Sequence, residues 1–228
     1  MTKVLAVNSS PNMEEGTTAL ILNPFLEGMK DAGAEVELLY TKKLDIKPCI
    51  GDFSCWETGG KCCINDDMEQ VVSKLLNADM WIFGIPVYIP FPGEFQNLLN
   101  RTMPLFDGSA DVRGGRMYPR LRKEVKLKLI GLISTCGYWG LDNFDKVIDP
   151  IKDMAEICKA DFPDPLLRPH ASLLMSMLNE GSDVGFIVDA AREAGSQIIN
   201  DGKISPKTSE IVSRPLVSFE EFASKESP

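Results

Sequence analysis

Five short runs of apolar and β-branched residues alternate along the chain with longer segments of helical spacing. Residues 4–7, 36–40, 80–84, 126–134 and 164–168 read as strands. Between the first two, Leu20, Ile21, Phe25 and Met29 recur at helical spacing; Thr17 or Thr18 is the expected cap and residues 30–33 the stop. Met68, Val71, Val72, Leu75 and Leu76 predict a second helix, capped by Asp66 or Asp67 and ended by 77–79. Residues 94–103, 143–159 and 183–200 carry three more. Strands alternating with helices of this length predict an α/β fold, a doubly wound five-stranded parallel sheet with helices on both faces.

Two segments break the alternation. Residues 107–124 hold Arg113, Arg116, Arg120 and Arg122 with little periodicity and read as an insertion. Residues 205–228 form a polar tail with Pro206 and Pro215, so 1–204 is expected to be the domain and 205–228 an extension.

Composition narrows the functional classes. With 44% hydrophobic and 25% charged residues among 228, the chain has ordinary globular usage. A net charge of −9 argues against a nucleic-acid binder. No apolar run approaches the roughly 20 residues of a membrane span, and the apolar start is too short for a signal peptide; no membrane partner and a cytoplasmic location are expected. Six cysteines are less ordinary: Cys49, Cys55, Cys62 and Cys63 crowd into one loop, 47–66, which in a cytoplasmic protein points to metal, cluster or redox chemistry before structural disulfides.

Ligands of an open parallel sheet bind outside the carboxyl ends of its strands, where strand order reverses. The three strand-to-helix loops expected there, 8–18, 85–93 and 134–140, are the ones with unusual composition. The first offers hydroxyls and backbone N–H groups at a helix start, which suits a phosphate, or it is simply a Ser/Thr-capped helix. It is neither G-x-G-x-x-G nor a P-loop.

The first loop, S-S-P-N-M-E-E-G-T-T, resembles the phosphate loop of the NADPH-dependent FMN reductase branch of flavodoxin-like proteins. The stretches I-K-P-C-I-G-D-F-S-C-W-E-T-G-G-K-C-C-I-N-D-D-M, A-D-M-W-I-F-G-I-P-V-Y and F-Q-N-L-L-N-R-T resemble the iron–sulfur flavoprotein subgroup in order and spacing. The resemblance implies a flavodoxin-like sheet of order 2-1-3-4-5 and FMN as cofactor. It places the FMN phosphate on Ser9, Ser10, Pro11, Asn12, Gly16, Thr17 and Thr18, with Ser9 where the family often has Gly. Pro86, Val87, Tyr88 and Ile89 match the loop against the isoalloxazine, and Ser134, Thr135, Cys136 and Gly137 match the third flavin loop. Glu14 and Glu15 depart from the pattern, and would repel a phosphate and weaken FMN binding unless they face solvent.

The subgroup binds a [4Fe–4S] cluster through four closely spaced cysteines. Here the frame is Cys49, Asp52, Cys55 and Cys62, with Asp in the second position. Three readings stand: Asp52 ligates a cluster iron, the cluster is lost and the loop packs, or the thiols bind zinc or form a redox disulfide. The hard carboxylate favours loss.

Cys136 and Cys158 read as buried small hydrophobes, His170 as structural, and 173–178 as core or subunit interface. The four arginines of 107–124 either grip the phosphates of a nicotinamide nucleotide or belong to a solvated or intersubunit loop, the latter favoured. The resemblance implies an NAD(P)H-dependent oxidoreductase that passes electrons to a flavin, quinone or protein acceptor, in a homodimer or homotetramer, with no side-chain acid or base required. The alternative is a non-enzymatic electron carrier serving ferredoxin-like partners.

Overall fold

The computed structural model describes residues 1–226, with side chains to Ser224. Five strands lie parallel: β1 (Lys3–Asn8), β2 (Glu35–Tyr40), β3 (Met80–Pro86), β6 (Leu129–Thr135) and β7 (Leu166–Arg168), in the order β2-β1-β3-β6-β7. Counting parallel strands only, this is the expected 2-1-3-4-5. The order reverses beside β1, whose end meets β3 at Asn8 opposite Gly84.

Strand pleating divides the core. Val4, Ala6, Ile82 and Ile133 face one side, against α1 (Thr17–Asp31) and α7 (Phe186–Asp201). Leu5, Val7, Trp81, Phe83, Ile130 and Leu132 face the other, against α3 (Met68–Asn77), α4 (Gly93–Asn100) and α5 (Asp145–Cys158). Because both faces are covered, the central strands are continuous apolar runs without polar alternation.

Helices α1 and α7 cross where two glycines meet. A Cβ on Gly28 would lie 1.8 Å from the Arg192 carbonyl oxygen, and one on Gly195 would lie 1.8 Å from that of Phe25. The Ser196 hydroxyl donates to the Gly28 carbonyl at 3.0 Å.

The arginine-rich segment differs from its expectation. It is an antiparallel hairpin, β4 (Phe106–Arg113) and β5 (Arg116–Leu121), turned by Gly114 and Gly115 at φ 54° and 78°. A Gly-Gly pair with both φ positive makes a two-residue turn whose twist matches the strands it joins. The hairpin packs on the cysteine loop: a Cβ on Gly108 would meet Trp56 at 3.0 Å, and Arg122 donates to the Pro104 carbonyl at 2.8 Å and the Cys55 carbonyl at 3.3 Å.

The carboxyl-terminal segment also holds more structure than its polarity suggests. After α6 (Ala171–Asn179) and α7, it forms α8 (Pro206–Ser213) and α9 (Phe219–Glu226). Ser205 caps α8 by accepting from the Thr208 N–H at 3.2 Å, and Val212 joins the core. No helix among the described residues is long and apolar enough to cross a membrane.

Candidate functional site

The floor of the site begins where β1 ends. Asn8, Ser9 and Ser10 are buried although polar, and each is satisfied locally. The Ser9 N–H and hydroxyl both donate to the Gly84 carbonyl, at 2.9 and 3.1 Å. The Ser10 N–H donates to Asn8 Oδ1 at 2.9 Å, and Ser10 Oγ accepts from the Asn12 N–H at 3.3 Å. The chain then passes Met13 in a left-handed conformation and enters α1 at Gly16.

Helix α1 lacks the threonine cap its sequence predicts. Gly16 is the N-cap and no side chain closes the first turn. The Thr18 hydroxyl instead meets the Thr135 hydroxyl at 2.9 Å, with Thr17 Oγ1 at 3.5 Å. The Gly16 carbonyl takes the Ala19 and Leu20 N–H groups at 3.0 and 3.4 Å, so the N–H groups of Thr17 and Thr18 are the ones that no carbonyl of their own helix can reach, at the positive end of its dipole. Gly16 keeps that corner open: a Cβ there would lie 2.5 Å from Ser10 Oγ and 3.2 Å from Asn12 Cβ.

Thr135 also ties in the second loop, because its carbonyl accepts from the Val87 N–H at 2.9 Å. The Ser134 hydroxyl donates to the Ile85 carbonyl at 2.7 Å. The structure thus brings 8–18, 85–93 and 134–140 together at the reversal of strand order. Pro86 and Val87 are half-buried, whereas Tyr88, Ile89, Gly137 and Tyr138 stand exposed at the rim. Cys136 contributes no free main-chain donor: its N–H goes to the Arg168 carbonyl at 3.0 Å and its carbonyl accepts from Ala171 at 2.9 Å. Burial raises its thiol pKa and pushes that of Cys158 up to about 12, so both are inert packing groups.

Glu14 and Glu15 are exposed, and Glu14 pairs with Lys43 at 2.7 Å. That hydrogen bond holds the Glu14 carboxyl below its ordinary range and offsets its charge beside the anion corner. Lys43 was unforeseen; it lies in the turn after β2, distant in sequence from the loop it neutralises.

Three of the four hairpin arginines are already committed. Arg113 donates to the Glu156 and Ile157 carbonyls at 2.8 and 3.2 Å, at the negative end of α5. Arg120 pairs with Asp111 at 2.8 Å and Arg122 holds the cysteine loop; Arg116 is exposed at the turn. A phosphate grip built from all four is corrected to a structural role for Arg113, Arg120 and Arg122.

In the cysteine loop, Cys49, Asp52, Cys55 and Cys62 line one cavity of about 10 Å³, beside the short helix α2 (Ser54–Glu57). Asp52 accepts from the Cys63 thiol at 3.5 Å, and Cys62 Sγ accepts from Arg101 at 3.5 Å. Burial raises the Cys55 thiol pKa, with Cys62 and Cys49 adding to it. Three thiols and a hard, hydrogen-bonded carboxylate are a donor set mismatched to a four-thiolate cluster. Among the described residues no group of three or more His, Cys, Asp or Glu is arranged to hold a metal ion.

Arg101, which the sequence shows only as part of the stretch F-Q-N-L-L-N-R-T, has a role of its own in the structure. It lies 1% exposed, forked onto Asp66 at 2.6 and 3.0 Å, and donates to the Lys47 carbonyl at 2.8 Å. Asp66 Oδ1 accepts from the Met68 N–H at 3.1 Å, so the expected helix-capping carboxylate is also half of a buried ion pair.

His170 is fully buried and stacks on Trp139 with ring centroids 4.8 Å apart. Burial, then the charge of Arg168, pushes its pKa down to about 4. The unfolded chain therefore takes up this proton first as pH falls below the ordinary histidine value. Stability should be intact above about pH 6.5 and drop by about 2 kcal/mol at pH 4.5. Urea midpoints at pH 7.5 and 4.5 check this; His170→Asn, which suits the left-handed backbone at φ 40°, should remove that share of the difference.

The NADPH-dependent FMN reductase family matches residues 2–146. An iron–sulfur flavoprotein of Methanocaldococcus jannaschii is 35% identical over 104 residues, 45% of this chain and 53% of that protein. One of Archaeoglobus fulgidus is 34% identical over 123 residues, 54% and 55% of the two chains. The chain spans about half the length of these curated relatives. In structure, an FMN-dependent NADH-azoreductase of Bacillus anthracis, solved in complex with FMN, superposes with a TM-score of 0.62 at 16% identity, over 88% of this chain and 100% of that one. An NAD(P)H:quinone oxidoreductase of Methanothermobacter marburgensis gives 0.59 at 12%, over 86% and 98%. Both likenesses establish the flavodoxin-like architecture, and with the match across residues 2–146 the chain belongs to the NADPH-dependent FMN reductase family.

Proposed function

We propose that this chain is an FMN-dependent oxidoreductase that takes a hydride from NAD(P)H and passes electrons to a flavin, a quinone or a protein acceptor. The observation that carries the reading is the corner kept open by Gly16, with uncapped N–H groups of α1 on one side and Ser10 on the other. Backbone donors, hydroxyls and a helix dipole suit a phosphate dianion, and Lys43 offsets the nearest carboxylate. In this reading Ser9, Ser10, Pro11, Asn12, Gly16, Thr17 and Thr18 hold the phosphate, with Ser9 and Thr18 setting the loop geometry. Pro86, Val87, Tyr88 and Ile89 flank the ring on one side and Ser134, Thr135, Cys136 and Gly137 on the other. When bound, FMN supplies the hydride and electron chemistry, so the side chains here orient and shield and none is required to act as acid or base. The exposed rim of Tyr88, Ile89, Tyr138 and Leu141 suits both a planar acceptor and a second subunit, in a homodimer or homotetramer.

An absorption spectrum of anaerobically purified protein, with iron and sulfide assays, tests this. Two flavin bands bleached by NADPH or NADH, with iron far below four per chain, are expected. Gly16→Ala should weaken FMN binding at least tenfold, about 1.4 kcal/mol, by pressing its methyl on Ser10. A chain that binds no FMN overturns the reading. Bleaching only by reduced ferredoxin replaces it with the electron carrier, and near-stoichiometric iron makes Asp52 a candidate ligand.

A further inference from the structure

The carboxyl-terminal arm lies outside the residues that match the family, yet it reaches the third loop of the site. Two sets of contacts meet on one short piece of chain, Arg168 to Ala171. Its backbone holds the loop: the Cys136 N–H donates to the Arg168 carbonyl at 3.0 Å, the His170 N–H to the Tyr138 carbonyl at 2.9 Å, and the Ala171 N–H to the Cys136 carbonyl at 2.9 Å. Its side chains hold the arm. Arg168, fully buried, donates to the Val212 and Arg214 carbonyls at 2.8 and 2.9 Å, at the negative end of α8.

That anchor sets where the chain goes next. Five residues on, α9 brings Phe219 and Phe222 to Trp139, with centroids 6.0 and 5.5 Å away, and Phe222 also meets His170 at 5.8 Å. Trp139 is thereby clamped between His170 and two phenylalanines, one residue beyond the exposed Tyr138. Aromatic pairs at these separations contribute beyond their buried area, and a clamped Trp fixes the backbone that carries it.

We propose that α9 is a positioning element of the cofactor site, in which Phe222 and Phe219 hold Trp139 against His170 and so fix the backbone of 136–140 at the rim. The inference rests on the reading of the three loops as a flavin cradle. A cradle whose third wall is fixed loses less freedom when it binds, so the arm acts on affinity through Trp139 without touching the ligand.

The test is Phe222→Ala in the full chain, with Phe222→Leu as the conservative variant, read by amide hydrogen exchange and FMN titration. Exchange in 136–140 should quicken at least tenfold while β6 is unchanged, and the FMN dissociation constant should rise about tenfold. Phe222→Leu should restore most of both. Unaltered exchange in 136–140 overturns the clamp, and faster exchange with unaltered FMN affinity overturns its link to the site. Should Phe222→Ala fail to fold, Phe219→Ala, at a residue 57% exposed, gives the same readouts with smaller shifts in the same direction, and no shift at all overturns the proposal. A wild-type chain that binds no FMN removes the flavin reading, and the exchange data still decide the clamp.

Discussion

Gly195→Ala should destabilise the protein by about 3–5 kcal/mol, although alanine is the better helix former by about 1 kcal/mol. The added methyl would lie 1.8 Å from the Phe25 carbonyl oxygen and 3.0 Å from the Met29 nitrogen. Both atoms belong to the backbone of α1, so no side-chain rotation relieves the overlap. The helices must part by more than 1 Å, and Ile187, Ala191, Ala194 and Ile198 then lose their fit against Ile21, Leu22, Phe25 and Met29. Measured against a total stability of about 5–15 kcal/mol, this is a large fraction, and the urea midpoint should fall accordingly. Gly185→Ala is the control: a Cβ there meets nothing within 4 Å and φ is −59°, so its midpoint should hardly move. Equal midpoints for the two variants would refute the close crossing.

Breaking the ion pair beneath the cysteine loop should cost a similar amount. Asp66→Asn leaves the Arg101 guanidinium, 1% exposed, with a buried charge and no carboxylate, for which about 3–5 kcal/mol is usual. Both members of the pair are desolvated, and the fork geometry with bonds from the Lys47 and Met68 N–H groups offsets that cost only while the carboxylate is present. The Asp66 pKa is lowered, because the bonds from Arg101, Lys47 and Met68 outweigh the opposing effect of burial. Its contribution is therefore present above the unfolded carboxyl pKa and is lost as pH falls through the lower folded value. At mildly alkaline pH, Cys55, 6% exposed in the intact fold, should become reactive to a thiol reagent in Asp66→Asn as the loop loosens. The double replacement Asp66→Leu with Arg101→Met should cost less than the two single ones added together.

The five parallel strands were legible because a doubly covered strand must be an apolar run and the loops at its carboxyl end must be polar, whereas their order came from the family resemblance and not from the pattern. The hairpin was not legible from periodicity, since Val112 and Met117 lie exposed on a two-stranded ribbon outside the core. Gly114-Gly115 between Arg113 and Arg116 is the one local signal of the turn. The three site loops were found from composition. Their stitching was not, because Thr18 with Thr135 and Lys43 with Glu14 are pairings across the fold. The sequence offers Asp66 or Asp67 as a cap, and Asp67 takes that position while Asp66 turns to Arg101, a residue legible only as part of a motif, whose ion pair tertiary packing alone reveals. The tail's polarity concealed Val212, Phe219 and Phe222, too sparse to form a stripe yet each set against a particular partner.

The crossing of α1 with α7 joins residue 28 to residue 195, about three quarters of the chain apart. During synthesis α1 emerges early with Ile21, Leu22, Phe25 and Met29 uncovered on the face α7 will occupy. At about 5–20 residues per second, α7 follows roughly 10–30 s later. Until then a long-range contact of this kind contributes nothing to stability, and the apolar face of α1 is open to chaperones or to other nascent chains. The amino-terminal half, which carries most of the candidate site, is thus committed to its final packing only after α7 has left the ribosome.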